Sequence, residues 1–258
     1  MAMAASRGVQ ATTLPAQNVK VWSPVPLVAM VGIVLAICGA WRYYQQLEGL
    51  KSGLDASQAI FWEKWMPLFN LNMAVGMIVQ VVVPVYLWLT RDQALTKLAP
   101  AVELKRFFVL FALLITLTMT QMLAITFGTV DAAWHQIVVR DTSLTPSHIV
   151  LFFGIVPLFT IFGLSAFFYS LTRIPMFADK LSLAMIIAVT APFMVLPSVA
   201  YNEWGHAYWM MEELFIAPLH WGFVMLAWCF TASLGVIGQS LPRVLELVRA
   251  VNAPAVAR

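Results

Sequence analysis

The sequence predicts an all-α protein, a polytopic transmembrane helical bundle of about six spans that ends in a C-terminal amphipathic interfacial helix. Three observations carry this reading. Of the 258 residues, 61% are hydrophobic and 10% are charged. A water-soluble domain carries about 25% charged residues, and no soluble core absorbs this much apolar side chain. The apolar residues gather in segments of the length a helix needs to cross roughly 30 Å of hydrocarbon. The basic residues fall on alternate connections, as in proteins that keep lysine and arginine on the cytoplasmic side.

Residues 1–22 are polar and short of apolar side chains, and read as a flexible cytoplasmic tail. No apolar h-region precedes them, which argues against a cleaved signal peptide. Residues 23–240 then form a single transmembrane domain. Its apolar segments run over 24–44, 67–89, 107–127, 149–171, 183–200 and 219–237. In hydrocarbon every backbone N–H and C=O must be satisfied within the segment, so these are helices rather than strands of an open sheet. Pro84, Pro157, Pro192 and Pro197 predict kinks or broken turns within them.

Charge sets the orientation. With the N-terminus inside and six spans, 11 of the 15 basic residues fall on inner segments, leaving Arg42, Lys51, Lys64 and Arg140 outside. Eight of the 12 acidic residues lie outside. The basic pI therefore has its source in the inner loops, and nucleic acid is not an expected partner. Residues 241–258 close the chain. LPRVLELVRAV, 241–251, alternates apolar and charged positions at helical spacing and predicts a helix lying along the inner membrane surface.

Aromatic residues gather at span edges: Trp41, Tyr43 and Tyr44, then Trp62 and Trp65, then Tyr201, Trp204, Tyr208 and Trp209. Anchoring at the membrane interface is their default role. Cys38 and Cys229 sit inside spans as small buried hydrophobes, and no CxxC pair is present. The sequence has no P-loop, no Rossmann glycines and no internal repeat.

The four histidines, His135, His148, His206 and His220, all fall on the two outer connections or the adjoining helix ends. They form two parallel patterns. Asp131 and His135 are four apart, with His148 thirteen further on. Asn202 and His206 are four apart, with His220 fourteen further on, at the start of the sixth span. A spacing of four puts two side chains on one helical face, and the third can enter from the neighbouring span. Each pattern thus offers three ligands from two helices. The alternative is that these are ordinary hydrogen-bonding residues near an interface, although polar groups at such depth are costly and usually functional or paired. Imidazole with carboxylate or amide suits copper, zinc or iron better than calcium or magnesium. The nearly neutral Asn/His/His set would tolerate a low-charge ion such as Cu(I).

WHQIVVRDTSLTPSH, MVLPSVAYNEWGHAYWMMEELFIAPLHWGF and the linker YSLTRIPMF together resemble the C subunit of the copper-dependent membrane monooxygenases. That family contains particulate methane monooxygenase, ammonia monooxygenase and related short-chain hydrocarbon monooxygenases. The likeness runs from the first span to the last and is densest between Asp131 and Phe223. It implies a trimer of heterotrimers, formed with the A and B subunits, in a bacterial inner (plasma) or intracytoplasmic membrane. The implied reaction inserts one atom of O2 into a small substrate such as methane, ammonia or a short alkane, with quinol as electron donor. It also implies one metal site on Asp131, His135 and His148 and a second on Asn202, His206 and His220. Copper is the expected metal, and zinc is a possible occupant of a site. Catalysis is assigned to Asn202, His206 and His220, with Glu203 as a partner that orients His206 or a bound water.

A salt bridge to a partner protein is the other role open to Glu203. Glu212 and Glu213 read as helix-cap or partner contacts, and Arg140 and Asp141 as a local pair. The competing function is a structural, lipid-binding subunit that braces an active site housed in a partner. A transporter would need polar groups along a midplane path, and the middles of these spans are nearly free of ionisable residues.

Overall fold

The computed structural model describes residues 21–49, 51–52, 57–93, 95, 98–137, 149–190 and 212–253, with the backbone alone at 125, 128–137 and 212–226. Over these residues the elements are helical. They are α1 (Val25–Glu48), α2 (Met66–Leu89), α3 (Pro100–Ile137), α4 (Val156–Arg173), a short α5 (Pro175–Ala178), α6 (183–190) and α7 (Glu212–Asn252). A π-helical turn, Phe61–Trp65, runs into α2, and another, Ile149–Ile155, runs into α4. Four helices among the described residues are long and apolar enough to cross a membrane: Val25–Glu48, Phe61–Leu89, Pro100–Ala124 and Ile149–Arg173. Of the two further expected spans, 183–200 lies outside the described residues beyond 190, and 219–237 falls within α7.

Contacts at the helix ends show that α1 to α4 alternate in direction. The end of α1 meets the turn before α2 through Lys64, whose Nζ donates to Glu48 Oε2 at 2.6 Å and to Ser52 Oγ at 2.7 Å. At the opposite end, Arg106 at the start of α3 donates through Nη2 to Asp92 Oδ2 (2.8 Å) and through Nη1 to the Arg173 carbonyl (2.8 Å). The Asp92 N–H donates to the Thr172 carbonyl at 3.2 Å, and Arg173 donates to Thr90. The bonds to the Thr172 and Arg173 carbonyls satisfy the last carbonyls of α4, which a helix end leaves without intrahelical partners. Ile174 stops the helix in extended geometry (φ −119, ψ 119) because the following Pro175 disfavours the helical region for the residue before it.

α3 and α4 form the centre. Half of the α3 span and two thirds of the α4 span are buried, against about a tenth of α1 and α2 (50%, 67%, 11% and 11%). α3 packs on α1, α4 and α7, while α2 packs on α4. The α2–α4 crossing is close at Gly76, where a Cβ would stand 3.3 Å from Pro157 Cβ, so Pro157 acts in the first turn of α4 as a packing surface. Two polar ties cross the same interface. Asn72 Nδ2 donates to the Phe153 carbonyl at 2.7 Å, and Gln80 Nε2 donates to Thr160 Oγ1 at 2.8 Å. Hydrocarbon gives helices no hydrophobic reason to associate, so close packing and such hydrogen bonds hold the bundle.

Two sequence expectations change here. The segment 241–251 is not a separate surface helix. It forms the last turns of α7, which continues unbroken to Asn252, and its apolar residues Val244 and Leu247 are buried in the same core as α3. Its buried positions face the bundle, while Leu241 and Leu245 on the other side are exposed. Trp65, expected as an interface anchor, is fully buried with Phe61, Ile149 and Phe153, and Trp41 and Tyr44 pack on that cluster. Trp62 and Tyr43 are exposed.

Candidate metal centres and the seam that leads to them

One stripe of α3 organises the site. Glu103, Phe107, Leu110, Leu114, Leu117 and Gln121 recur at alternating steps of four and three, and each is at most 3% exposed. This is the period of a helix face that stays turned to its neighbours. Carried on in the same register, the stripe reads Ala124, Gly128, Asp131 and His135. The backbone remains helical to Ile137. Asp131 and His135 therefore occupy the face of α3 that forms the core seam lower down. At 1.5 Å per residue, Asp131 stands about 15 Å beyond Gln121 along the axis.

Ile149 follows His148 directly in the sequence. Ile149 is fully buried and opens the π-helical turn that ends at Ile155. Such turns are often found at functional sites. Phe153 of this turn meets Trp41 edge to face at a centroid distance of 5.0 Å, and Tyr44 meets Trp65 at 5.8 Å. Gly154 lies close to α1, since a Cβ there would stand 3.2 Å from Trp41 Cδ1. This aromatic floor is invisible to sequence reasoning, because its rings look the same as interface anchors.

The expected ligands are distributed as follows. Asp131 and His135 share one face of α3, and His148 lies outside the described residues. Asn202, Glu203 and His206 lie outside them too, as do Arg140 and Asp141. His220 is on α7. Glu212 and Glu213 are on α7. Among the described residues, no three His, Cys, Asp or Glu side chains come together as a metal-binding group. The free thiols of Cys38 and Cys229 are buried and apart from the histidines in sequence. The donor set itself suits copper or zinc: each pattern pairs two imidazoles with one oxygen donor, and the α3 pair has the four-residue register that such binding uses.

At the far end of the seam the charge is fully paired. Arg243 of α7 donates through Nε to Glu103 Oε1 (2.9 Å), through Nη2 to Glu103 Oε2 (2.8 Å) and through Nη1 to Glu246 Oε2 (3.1 Å). The Glu103 carboxylate raises the Arg243 guanidinium pKa further above its ordinary value. The seam thus runs from an ion pair at one end to the Asp131/His135 pair at the other.

The family model of the ammonia monooxygenase/methane monooxygenase C subunit matches residues 10–251. None of the curated proteins matches the chain significantly. The match covers nearly the whole sequence, and the chain belongs to the C-subunit family of the ammonia and methane monooxygenases.

Proposed function

We propose that this chain is the membrane-embedded C subunit of a copper-dependent, O2-using monooxygenase complex, and that its helical bundle is the brace on which the outer polar segments are held. The brace reading is the one the described residues support best. Its carrying observation is the α3 seam, packed without interruption from Glu103 to Gln121 and in register with Asp131 and His135. A rigid helix fixes the position of whatever its outer end carries. The exposed apolar sides of α1 and α2 are available to lipid and to the A and B subunits in a trimer of heterotrimers, in a bacterial inner or intracytoplasmic membrane.

The second reading adds metal. It is favoured by the placement of Asp131 and His135 on one helical face. In it, Asp131, His135 and His148 hold one ion, and Asn202, His206 and His220 hold another, with Glu203 orienting His206. Bound copper would supply the redox chemistry that lets one atom of O2 enter a small substrate while the other leaves as water, with quinol providing electrons. The chain's own part would be to present two imidazoles with one carboxylate or amide oxygen at each ion. Methane, ammonia and short alkanes are the substrate class.

The test uses the complex of all three subunits. His206→Ala should lose metal from its set and lose O2-dependent oxidation of ammonia, methane, ethane and butane alike. Full turnover with that set shown empty would place catalysis elsewhere, most simply in a partner subunit, and leave the 201–220 stretch a structural role. Asn202→Asp should retain copper, because a carboxylate binds a divalent ion more strongly, while lowering its reduction potential and slowing turnover.

A further inference from the structure

The junction of α2 with α4 carries two guanidinium groups that the fold does not neutralise. α2 ends at Leu89, and Thr90 and Arg91 follow it. Arg173, the last residue of α4, donates through Nη1 to the Thr90 carbonyl and through Nη2 to the Thr90 hydroxyl. Arg91 turns back along α2. It donates through Nη1 to the Trp88 carbonyl at 3.1 Å, with its guanidinium 5.1 Å from the Trp88 ring centroid. Both cations are thus fixed within one turn of a single helix end. Asp92, the neighbouring acid, is held by Arg106 at 2.8 Å. Neither Arg91 nor Arg173 forms an ion pair among the described residues.

Capping α2 is one role of these contacts, but it does not balance the charge. A helix C-terminus carries about half a negative charge, against two full positive ones. Like charges held at one helix end repel, and an anion that reaches both removes that cost. Hydrogen-bonding capacity is left over as well. A guanidinium has five N–H donors, of which Arg173 uses two here and Arg91 one. The surroundings select the anion. Arg91 is exposed, and the face of α2 that leads from it into the span is apolar: Leu89, Tyr86 and Val82 are 74%, 62% and 56% exposed. Their spacing of three and four puts them on one side of the helix. A soluble anion meets only the charged part of this surface. A phospholipid meets both parts, with its phosphate at the guanidinium groups and an acyl chain along the face beside them.

We infer that Arg91 and Arg173 bind the phosphate of an anionic phospholipid whose acyl chain lies along Val82, Tyr86 and Leu89. Clustered arginines between membrane helices at headgroup depth recognise lipid phosphates in this way. A zwitterionic lipid brings its own ammonium group, which the two arginines repel, so the site prefers a headgroup such as phosphatidylglycerol. The inference deepens the bracing role of the bundle and rests on its membrane-spanning reading. It does not depend on copper or on turnover, so failure of either metal set leaves it standing.

The experiment places the intact three-subunit complex in nanodiscs of phosphatidylcholine and phosphatidylglycerol in equal parts. Native mass spectrometry then counts the lipid that stays bound after extraction, with and without millimolar inorganic phosphate as competitor. The expected result is selective retention of phosphatidylglycerol that free phosphate does not displace. Arg91→Gln should lower that selectivity about fivefold, the share of one basic residue at a membrane surface, and Arg91→Lys should restore most of it. Arg91 is the position to change because it bonds only to its own helix end, which leaves the tie between Arg173 and Thr90 intact. A cryo-EM map of the same sample should show headgroup density at both guanidinium groups. Equal selectivity in the native complex and Arg91→Gln overturns the inference. So does displacement by phosphate alone, which marks a free-anion site, or a partner subunit's carboxylate seated on the two arginines.

Discussion

Glu103 and Arg243 are 140 positions apart in the chain and meet through two parallel hydrogen bonds of 2.8 and 2.9 Å. The carboxylate is 3% exposed and the guanidinium 44%. The pair joins the start of α3 to the last turns of α7. It also draws the amphipathic segment 241–251 against the bundle. A planar guanidinium that meets a carboxylate edge-on fixes angle as well as distance, which a lysine would not.

Removing one partner should therefore cost more than removing both. Arg243→Ala strands a buried carboxylate. Breaking a buried pair in this way costs about 3–5 kcal/mol, and the half-exposed arginine places this case near the lower end. The combined change Glu103→Leu with Arg243→Met should recover most of the loss. Thermal unfolding of the assembled complex measures both. If the single and double variants melt together, the pair contributes nothing specific.

The α2–α4 ties should be unequal. Asn72→Leu leaves the Phe153 carbonyl in the π-helical turn without its side-chain donor. Gln80→Leu leaves Thr160 Oγ1 still donating to the Pro157 carbonyl at 2.9 Å. Membrane-buried hydrogen bonds average about 0.6 kcal/mol, with a maximum of about 1.7 kcal/mol. Asn72→Leu should approach the upper figure and Gln80→Leu should be nearly neutral. The reverse order in a melting comparison would refute this role for the π-helical turn.

Orientation is read with cysteine substitutions at Ser143 and Ala94. A membrane-impermeant thiol reagent added outside should label the first and spare the second. The native Cys38 and Cys229 are buried and need not be removed. The linked ends of α2, α3, α4 and α7 carry Arg91, Arg106, Arg173 and Arg243, so one end of the bundle holds the expected inner charge. Labelling at Ala94 from outside would reverse the assignment.

His135→Ala should lower metal per assembled complex and leave the bundle folded. Residue 135 lies beyond the apolar part of α3, Pro100–Ala124, which packing holds without it. Metal analysis beside helical circular dichroism separates the two effects. Unchanged copper would mean that the Asp131, His135 and His148 spacing is not a ligand pattern in this chain.

The helical, membrane-spanning class was legible from the residues alone, because an apolar segment in hydrocarbon has no other way to satisfy its backbone. So was the four-residue step that puts Asp131 and His135 on one face of α3. The ranking of the spans was not. α1 and α3 are equally apolar, yet α3 is central and α1 is peripheral. Lipid and protein interior are both apolar, so the periodicity that separates buried from exposed faces in a soluble helix is weak here. For the same reason Trp65 reads as an anchor and is fully buried, and 241–251 reads as a membrane-surface helix and packs on the core. The enclosure of Gln121 without a partner among the described residues emerges only from the packed bundle. A lone glutamine in a span looks the same whether it faces lipid or protein. Contacts between distant helices made these choices.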